Sequence, residues 1–390
     1  STRNDWTCRY ILKGEGMEDW RPTFSISGFR YISVSCSDTP LTAIDIKAEF
    51  VTSAVKRKGW FESSSDKLNK IHNMYLLSQR ANISTGVPVD CPHRERLGWL
   101  GDAILITDPL GRNYDVYNMY MKWFDDMNDE LFRSGRNVWR NHIPNPSHYD
   151  KNPNPFDVPW YSGNIEIPWT VYKTYGDVTI IEKNYERMKA LISYLHGKTK
   201  NYLITETGAW GDWVSVLGRY NITNSYLSTG YYYRCVYIMI KAAKVLGKTN
   251  DMYIYEDLAI KIRNAINEKW LIDGSYYDTG TQSANALALD FGMVPEEHED
   301  EVLQTLAEDI IKRDYHITTG VTGTYNIFRA LSKYGRDDIL YNVMVRESYP
   351  SYGYMLYNGA TTPWEFWNNA TDTMSSWNHT FLAGPAESWL

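Results

Sequence analysis

Residues 87–102 read VPVDCPHRERLGWLGD, and the rest of the chain can be understood as built around this stretch. Two prolines and two glycines interrupt it, which predicts a loop and not one regular helix. A solvated helix face would carry its charges as single-sign rows or as i,i+4 pairs. We therefore interpret the stretch as a loop that presents charged groups, and a surface turn with a local ion-pair cluster is the alternative. Its charged and aromatic side chains are Asp90, His93, Arg94, Glu95, Arg96, Trp99 and Asp102.

Helical periodicity dominates the chain after Ser65. Leu68, Ile71, Tyr75 and Leu76 form a first apolar stripe behind a run of serines, which is typical of a helix start. Further helices are predicted at about 102–112, 116–131, 165–175, 178–198, 225–246, 251–270, 282–291, 297–313, 321–334, 337–347 and 378–390. Helix C-caps are expected at Gly176, Gly247, Gly292 and Gly335.

About twelve helices with almost no strand after residue 60 predict a mainly α fold. The helices alternate in antiparallel pairs, without a detectable sequence repeat. A toroid of six helix pairs, the (α/α)6 barrel, would bury every apolar stripe and leave a central pocket at one end. We predict this barrel for residues 57–390, and a helical solenoid is the alternative.

The first 56 residues have a different pattern, in which apolar and polar residues alternate at 21–27, 29–35 and 43–50. Such alternation predicts strands. A few strands cannot form a stable sandwich alone, and the sequence begins without methionine or a signal-like segment. We therefore expect residues 1–56 to be part of a β-sandwich whose earlier strands are missing, and we assign no compartment and no oligomeric state.

The composition limits the class of partner. The chain has 390 residues and a net charge of −7, which disfavours a nucleic-acid partner. No apolar run approaches the roughly 18 residues that span a bilayer, so no membrane partner is predicted. The 15 tryptophans and 31 tyrosines combine flat apolar faces with polar tips, which favours a carbohydrate partner. Scattered thiols are expected, with a Cys8–Cys36 disulfide as the alternative.

Three further stretches place an ionisable side chain beside aromatic ones. The sequence AWGDW contains Asp212 between two predicted helices, and a helix-capping aspartate with core tryptophans is the alternative interpretation. The sequence GATTPWEFW places Glu365 among aromatic residues, whose packing would raise the pKa of the carboxyl group. The sequence SWNH ends in His379 and opens the last predicted helix, where a capping or core histidine is the alternative to a ligand.

Other catalytic chemistries find little support. The sequence has no GxSxG elbow, no HExxH motif and no phosphate-binding loop. A thiol nucleophile at Cys91 is disfavoured, because the adjacent Asp90 would raise the pKa of the thiol. Asp90, His93 and Asp102 lack a known metal-ligand spacing, and we predict no metal and no cofactor.

A series of motifs resembles, in the same order, the α-L-rhamnosidases of glycoside hydrolase family 78. The upstream sequence WRPTFSISGFRY resembles the end of the β-sandwich that precedes their catalytic domain. The resemblance covers essentially the whole chain and implies an (α/α)6 barrel that hydrolyses terminal α-L-rhamnosides with inversion. The motifs are DCPHRERLGWLGD, WYSGNIEIPWTVYKTYGD, GDW, TQSANALALDFGMVPEE, HITTGVTGTY, YPSYGYMLYNGATTPWEFW and SWNH.

The resemblance also implies residue roles. Glu95 corresponds to the general acid of the family and Glu365 to its general base. Arg94 and Glu95 are adjacent, as in a shorter variant of the motif, Ser162 stands where many members have aspartate, and Glu166 has no assigned role. The substrate-binding positions that the resemblance implies are Asp90, Arg94, Trp99, Asp102, Trp160, Trp213 and His379.

The chemistry of inversion adds its own expectations. One protonated acid and one water-activating carboxylate are needed, with their carboxyl groups about 6.5–9.5 Å apart. In a closed toroid the loops of Glu95 and Glu365 would meet, because the first and last helix pairs are neighbours. Arg94 and Arg96 would lower the pKa of Glu95, so both are expected to point away or to pair with Asp90 and Asp102. The alternatives are the same barrel acting on another sugar and a non-catalytic carbohydrate-binding fragment.

Overall fold

The computed structural model describes residues 7–13, 15–29, 31–35, 46–134, 141–144, 156–206, 208–368 and 375–390. Helices dominate this part of the chain, and its short strands pair only as two-residue antiparallel ladders. These ladders are β1 (Lys56–Arg57) with β2 (Tyr114–Asp115), β3 (Thr199–Lys200) with β4 (Leu203–Ile204), and β5 (Leu271–Ile272) with β6 (Tyr276–Tyr277).

Six helices form an inner ring that closes on itself. Each packs against the next in chain order, and the last packs back against the first. A solenoid would keep its first and last helices apart, so the closed ring confirms the predicted (α/α)6 toroid. The inner helices are α2 (Leu100–Asn113), α5 (Gly163–Tyr175), α7 (Asn224–Val245), α9 (Gln282–Phe291), α11 (Val321–Lys333) and α14 (Gly384–Trp389).

An outer layer of helices covers this ring. Its amphipathic members turn one apolar face inward, as in α10, where Val302, Leu306 and Ile310 are buried at helical spacing. The outer helices are α1 (Asp66–Ala81), α3 (Tyr117–Ser134), α6 (Thr179–His196), α8 (Thr249–Trp270), α10 (Glu299–Lys312) and α12 (Asp337–Val345). Short helical segments complete the described structure, namely α4 (Val158–Tyr161), the 3-10 turn Glu296–His298 and α13 (Tyr352–Tyr357).

A buried polar contact holds the end of the ring to its beginning. Glu387 on α14 accepts a hydrogen bond from Asn113 Nδ2 on α2 at 2.7 Å. The same carboxylate lies 2.9 Å from His72 Nδ1 on α1. Buried polar groups of this kind require partners, so these three side chains fix where the last helix meets the first two.

The helix predictions are largely confirmed, including the left-handed glycine caps Gly176 and Gly292. The prediction for the last helix is wrong, because α14 begins at Gly384 and not at 378. The backbone before it pairs with the preceding loop: the His379 N–H donates to Pro363 O, and the Glu365 N–H donates to Ser376 O. Residues engaged in this pairing cannot also form a helical turn, so His379 lies in a loop.

The strands predicted in the first 56 residues are absent from the described part of that segment, which includes residues 21–27 and 46–50. A strand needs a paired neighbour to complete its hydrogen-bond ladder, and alternation alone does not supply one. The described residues here form no regular secondary structure before Lys56 and are mostly exposed. Cys36 and residues 43–45 lie outside the described residues, while Cys8, Cys91 and Cys235 are free thiols. The domain boundary after residue 56 stays a prediction.

One buried carboxylate ties the loop before α7 to the start of α11. Asp212 Oδ2 accepts hydrogen bonds from Ser283 Oγ at 2.6 Å and from the Gly320 N–H at 2.9 Å. Asp212 Oδ1 accepts from Thr322 Oγ1 at 2.8 Å and from the Gly323 N–H at 2.9 Å. The first turn of a helix leaves such N–H groups without helical partners. Asp212 therefore binds N–H groups at the start of α11 from another part of the chain, although the N-cap residue of that helix is Gly320.

We expect Asp212→Asn to lower the free energy of unfolding by about 3 kcal/mol, because hydrogen bonds to a buried charged group are lost. The new amide would also point an N–H₂ group at donors. Urea unfolding followed by tryptophan fluorescence measures the change. Asp257→Asn is the matched control, because Asp257 pairs with Lys261 on the surface and should have almost no effect. Equal stabilities of the two variants would contradict the prediction.

Candidate active site

Residues 90–97 form a loop, which we name the motif loop. Hydrogen bonds between Asp90 and Leu97 join its two ends. Asp90 Oδ1 accepts the Leu97 N–H at 3.0 Å, and Asp90 N–H donates to Leu97 O at 3.1 Å. Cys91 Sγ donates to Asp90 Oδ2 at 3.3 Å. Burial and then Asp90 raise the pKa of the Cys91 thiol, which agrees with the case against a thiol nucleophile. The prediction of a loop here is confirmed.

The N-terminal segment supports the motif loop from outside. The Arg96 guanidinium donates to the Ile26 carbonyl, so this arginine points away from the acids, as expected. Arg96 itself has a φ of +54°, a conformation that is uncommon for a residue with a side chain. A Cβ atom on Gly28 would lie 2.8 Å from the Cβ of His93. The two chain segments therefore touch with no space between them at this point.

Arg94 lies between the two predicted catalytic carboxylates. Its Nη2 atom is 3.4 Å from Glu95 Oε1 and 3.2 Å from Glu365 Oε2. The expectation that Arg94 points away from Glu95 or pairs with Asp90 and Asp102 is therefore wrong. Glu365 is buried, and a buried carboxylate without a cation is costly. Both distances start at the same Nη2 atom, so the separation of Glu95 Oε1 from Glu365 Oε2 cannot exceed the sum of 3.4 Å and 3.2 Å.

The buried Glu365 is held by the stretch SWNH. The Ser376 N–H donates to Glu365 Oε2 at 2.8 Å, while the Glu365 N–H donates to Ser376 O at 2.9 Å. Burial raises the pKa of Glu365, and the neighbouring Arg94 opposes that rise.

Asp102 and His379 are in contact with each other. Asp102 is in the first turn of α2 and is buried, and its Oδ1 lies 3.4 Å from His379 Nε2. Burial and the nearby Asp90, Glu365 and Glu95 raise the pKa of Asp102 well above its usual range. Burial lowers the pKa of His379. Both shifts favour the uncharged forms, which leaves hydrogen-bonding groups without a net charge beside the acids.

Asp90 has a strongly shifted acidity as well. Burial, followed by the charge of Glu95, raises the pKa of Asp90 to about 7. Hydrogen bonds from Leu97 and Cys91 lower it, but they do not offset the loss of solvation. Strongly perturbed carboxyl groups that cluster in this way are typical of functional sites.

Aromatic rings form one wall beside these carboxyl groups. Trp99 Nε1 donates to Glu95 Oε2 at 3.0 Å, and the Trp99 ring centroid is 4.5 Å from that of His142 and 5.5 Å from that of Trp210. The Trp160 ring lies 5.1 Å from the Trp210 ring. Trp210 therefore joins two predicted site residues, although the sequence analysis did not select it.

The position of Trp210 depends on Asp157, an acid that the sequence analysis also did not select. The Trp210 N–H donates to the buried Asp157 Oδ2 at 2.9 Å. Burial raises the pKa of Asp157 to about 7. The signal for Trp210 was its presence in AWGDW, but nothing in that pattern identified which of the two tryptophans would face Trp99. Asp157 carried no comparable signal, because its partner lies 53 residues away in the chain.

The remaining predicted residues take two different positions. The Trp213 ring lies 6.2 Å from the ring of Phe366, the residue after Glu365, so it borders the cluster through that contact. Glu166 is buried on α5, and its Oε2 lies 3.5 Å from Arg234 Nε. It is a paired charge inside the barrel wall.

Two absences among the described residues bear on other functions. No group of three or more histidine, cysteine, aspartate or glutamate side chains in the described ranges is arranged to hold a metal ion. No helix within those ranges is long and apolar enough to span a bilayer.

Comparison with known proteins identifies this arrangement. Residues 56–390 match the family model described as the bacterial alpha-L-rhamnosidase 6 hairpin glycosidase domain. Residues 2–52 match the bacterial alpha-L-rhamnosidase concanavalin-like domain. The barrel is thus a six-hairpin glycosidase domain. The chain belongs to the α-L-rhamnosidases of glycoside hydrolase family 78.

Individual relatives agree with this family. An alpha-L-rhamnosidase of Formosa agariphila is 30% identical over 98% of the chain and 42% of its own length. The alpha-L-rhamnosidase structure from Dictyoglumus thermophilum is 34% identical with a TM-score of 0.83, covering 90% of this chain and 40% of that one. The Streptomyces avermitilis alpha-L-rhamnosidase complexed with L-rhamnose is 27% identical with a TM-score of 0.80, covering 87% and 32%. The chain spans less than half the length of these relatives.

The contact between the N-terminal segment and the motif loop generates a prediction. Gly28→Ala should lower the free energy of unfolding by about 1–2 kcal/mol, because the added methyl group meets the Cβ of His93. His93→Gly removes that Cβ, so the double variant should regain most of the loss. A double-mutant cycle from urea unfolding gives the coupling between the two sites. A coupling energy near zero would show that the two segments do not press on each other.

Proposed function

We propose that this chain carries the catalytic unit of an inverting α-L-rhamnosidase that releases terminal α-L-rhamnose from a glycoside or polysaccharide. The observation that carries the proposal is the single guanidinium of Arg94, which contacts both Glu95 and Glu365. These glutamates come from the loops before the first and last inner helices, which are neighbours in the closed ring, and Arg94 lies between their carboxylates. The proposal that the sugar is rhamnose rests on the family to which the chain belongs.

Glu95 is suited to the role of general acid. Its side chain is 30% exposed, whereas that of Glu365 is 6% exposed, so Glu95 is the carboxyl group that a leaving oxygen can reach. Binding of a sugar at this carboxyl group would cover Glu95 and exclude solvent from it. A general acid has to be protonated at the working pH. The Trp99 Nε1–H···Oε2 bond at 3.0 Å would fix the direction of the carboxyl group.

Glu365 is suited to the role of general base. Its shorter contact with Arg94, at 3.2 Å, and the Ser376 N–H both favour the ionised form. A water between Glu365 and the anomeric carbon would lose its proton to this carboxylate as the glycosidic bond breaks. Asp90 and Asp102 would bind ring hydroxyls, with Arg94 and His379 beside them, and Trp99, Trp160 and Trp213 would border the sugar.

We expect Glu95→Gln and Glu365→Gln each to lower kcat by about 10²–10⁴-fold. The two losses should differ with the leaving group. A nitrophenolate leaves without proton donation, so Glu95→Gln should affect nitrophenyl α-L-rhamnoside much less than a rhamnosyl disaccharide, whereas Glu365→Gln should affect both alike. Steady-state rates on the two substrates measure this difference. Glu206→Gln, at an exposed surface glutamate, is the control and should behave like the parent protein.

Either variant with parental turnover on the disaccharide would contradict its assigned role. A panel of other nitrophenyl glycosides tests the sugar itself. Hydrolysis of another glycoside in preference to the rhamnoside would point to a different sugar. A folded protein that binds rhamnose and cleaves nothing would be a binding fragment.

We expect β-L-rhamnose to be the first product formed. Attack by water activated at Glu365, on the face opposite the leaving group, inverts the anomeric configuration. A retaining enzyme would instead hold its two carboxyl groups about 5–5.5 Å apart for direct attack. Proton NMR in the first minutes, before mutarotation, resolves the two anomers. An initial α-L-rhamnose signal would overturn the single-displacement mechanism and leave hydrolysis itself intact.

A further inference from the structure

A second group of aromatic residues surrounds a cation at the edge of the site. The Cζ atom of Arg219 lies 5.3 Å from the ring centroid of Trp213 and 5.3 Å from that of Tyr220. We name these three residues the rim cluster. Arg219 is exposed, Tyr220 is 58% exposed and Trp213 is half-buried. The cluster therefore offers a cation and two aromatic faces to the solvent.

The loop that carries the rim cluster is firmly built. The Asp212 N–H donates to Arg219 O at 2.8 Å, and the Val321 N–H on α11 donates to Trp213 O at 2.9 Å. Val214 has a φ of +64°, which is a strained conformation for a β-branched residue. Such strain persists only where the surrounding contacts over-determine the backbone, and it concentrates at ligand-binding loops. Here the strained residue directly follows Trp213.

The rim cluster borders the proposed catalytic residues. The Trp213 ring packs on Phe366 at 6.2 Å, and Phe366 follows the proposed general base in the chain. Asp90 and Asp102 are buried, whereas Glu95, the proposed general acid, is 30% exposed, so a rhamnose ring that reaches the buried acids can place its glycosidic oxygen at the more exposed Glu95. The sugar on the other side of the scissile bond would then lie at the exposed rim, where Trp213, Arg219 and Tyr220 are.

The charge of Arg219 is available to a ligand. Within the described ranges, Arg219 makes its side-chain contacts with aromatic rings and forms no ion pair with an acidic side chain. Asp212 shares its loop but is buried and accepts hydrogen bonds from four donors. Arg94, by contrast, is already committed to Glu95 and Glu365.

We propose that the rim cluster is a subsite for a uronic acid, the sugar from which rhamnose is cleaved. A guanidinium presents a planar fork that matches a carboxylate in a bidentate manner. The aromatic rings on either side hold that fork in place and offer faces to the sugar ring. The inference rests on the proposed function and narrows its substrate to rhamnosyl uronates.

The test compares one disaccharide in two charge states. A rhamnosyl glucuronic acid and its methyl ester differ only in the carboxylate, so the ratio of their kcat/KM values isolates the charge. We expect the protein to prefer the acid by about tenfold, within the usual range for a hydrogen bond to a charged group, and to lose part of that preference in high salt. Arg219→Gln should bring the ratio close to one, whereas the control Arg187→Gln, on the outer helix α6, should not change it.

Each outcome separates this inference from the proposed function. Equal kcat/KM values for acid and ester in the parent protein, or an unchanged preference in Arg219→Gln, would overturn the uronate subsite. Hydrolysis of nitrophenyl α-L-rhamnoside in the same experiments would still support the rhamnosidase. Absence of hydrolysis on every rhamnoside, including the nitrophenyl compound, would overturn the proposed function itself.

Discussion

The contact of α14 with α2 is the constraint on which the rest of the molecule depends. It turns a linear series of helix pairs into a ring, and Glu387 fixes it through His72 and Asn113. The loops before these two helices carry Glu95 and Glu365, which are 270 positions apart in the chain. Because the ring closes, one arginine side chain reaches both. Closure is thus both the main topological feature and the condition for a two-carboxylate site.

Much of this arrangement could be predicted, because it is written in local patterns. Apolar periodicity located the helices, and glycines such as Gly176 and Gly292 marked their ends. What could not be predicted depends on long-range pairing. The turn around His379 pairs with Pro363, and no strand in the described part of the chain lies beside the alternating segment 21–27 to make a ladder. Neither fact is encoded in the residues concerned.

The same distinction applies to the site. The motif loop and the sequence GATTPWEFW indicated the acids, since carboxyl groups between glycines, prolines and tryptophans are unusual on a solvated face. The partner of Arg94 was mistaken, because local charges suggested Asp90 and Asp102, whereas the guanidinium contacts Glu365 from the far end of the chain. Trp210 was missed for a similar reason, since its neighbours Trp99 and Trp160 meet it only in the folded barrel.

Buried carboxyl groups in this barrel differ in how far the protein satisfies them. Asp212 has four donors and acts as a structural tie, whereas Asp90 and Asp102 have fewer donors and strongly raised pKa values. A carboxylate that is fully satisfied by the protein has no capacity left for a substrate hydroxyl, and one that is under-satisfied retains it. Asp212, whose carboxylate accepts four hydrogen bonds, lies one residue before Trp213. The contacts that fix Asp212 therefore also fix the backbone at Trp213, which belongs to the rim cluster.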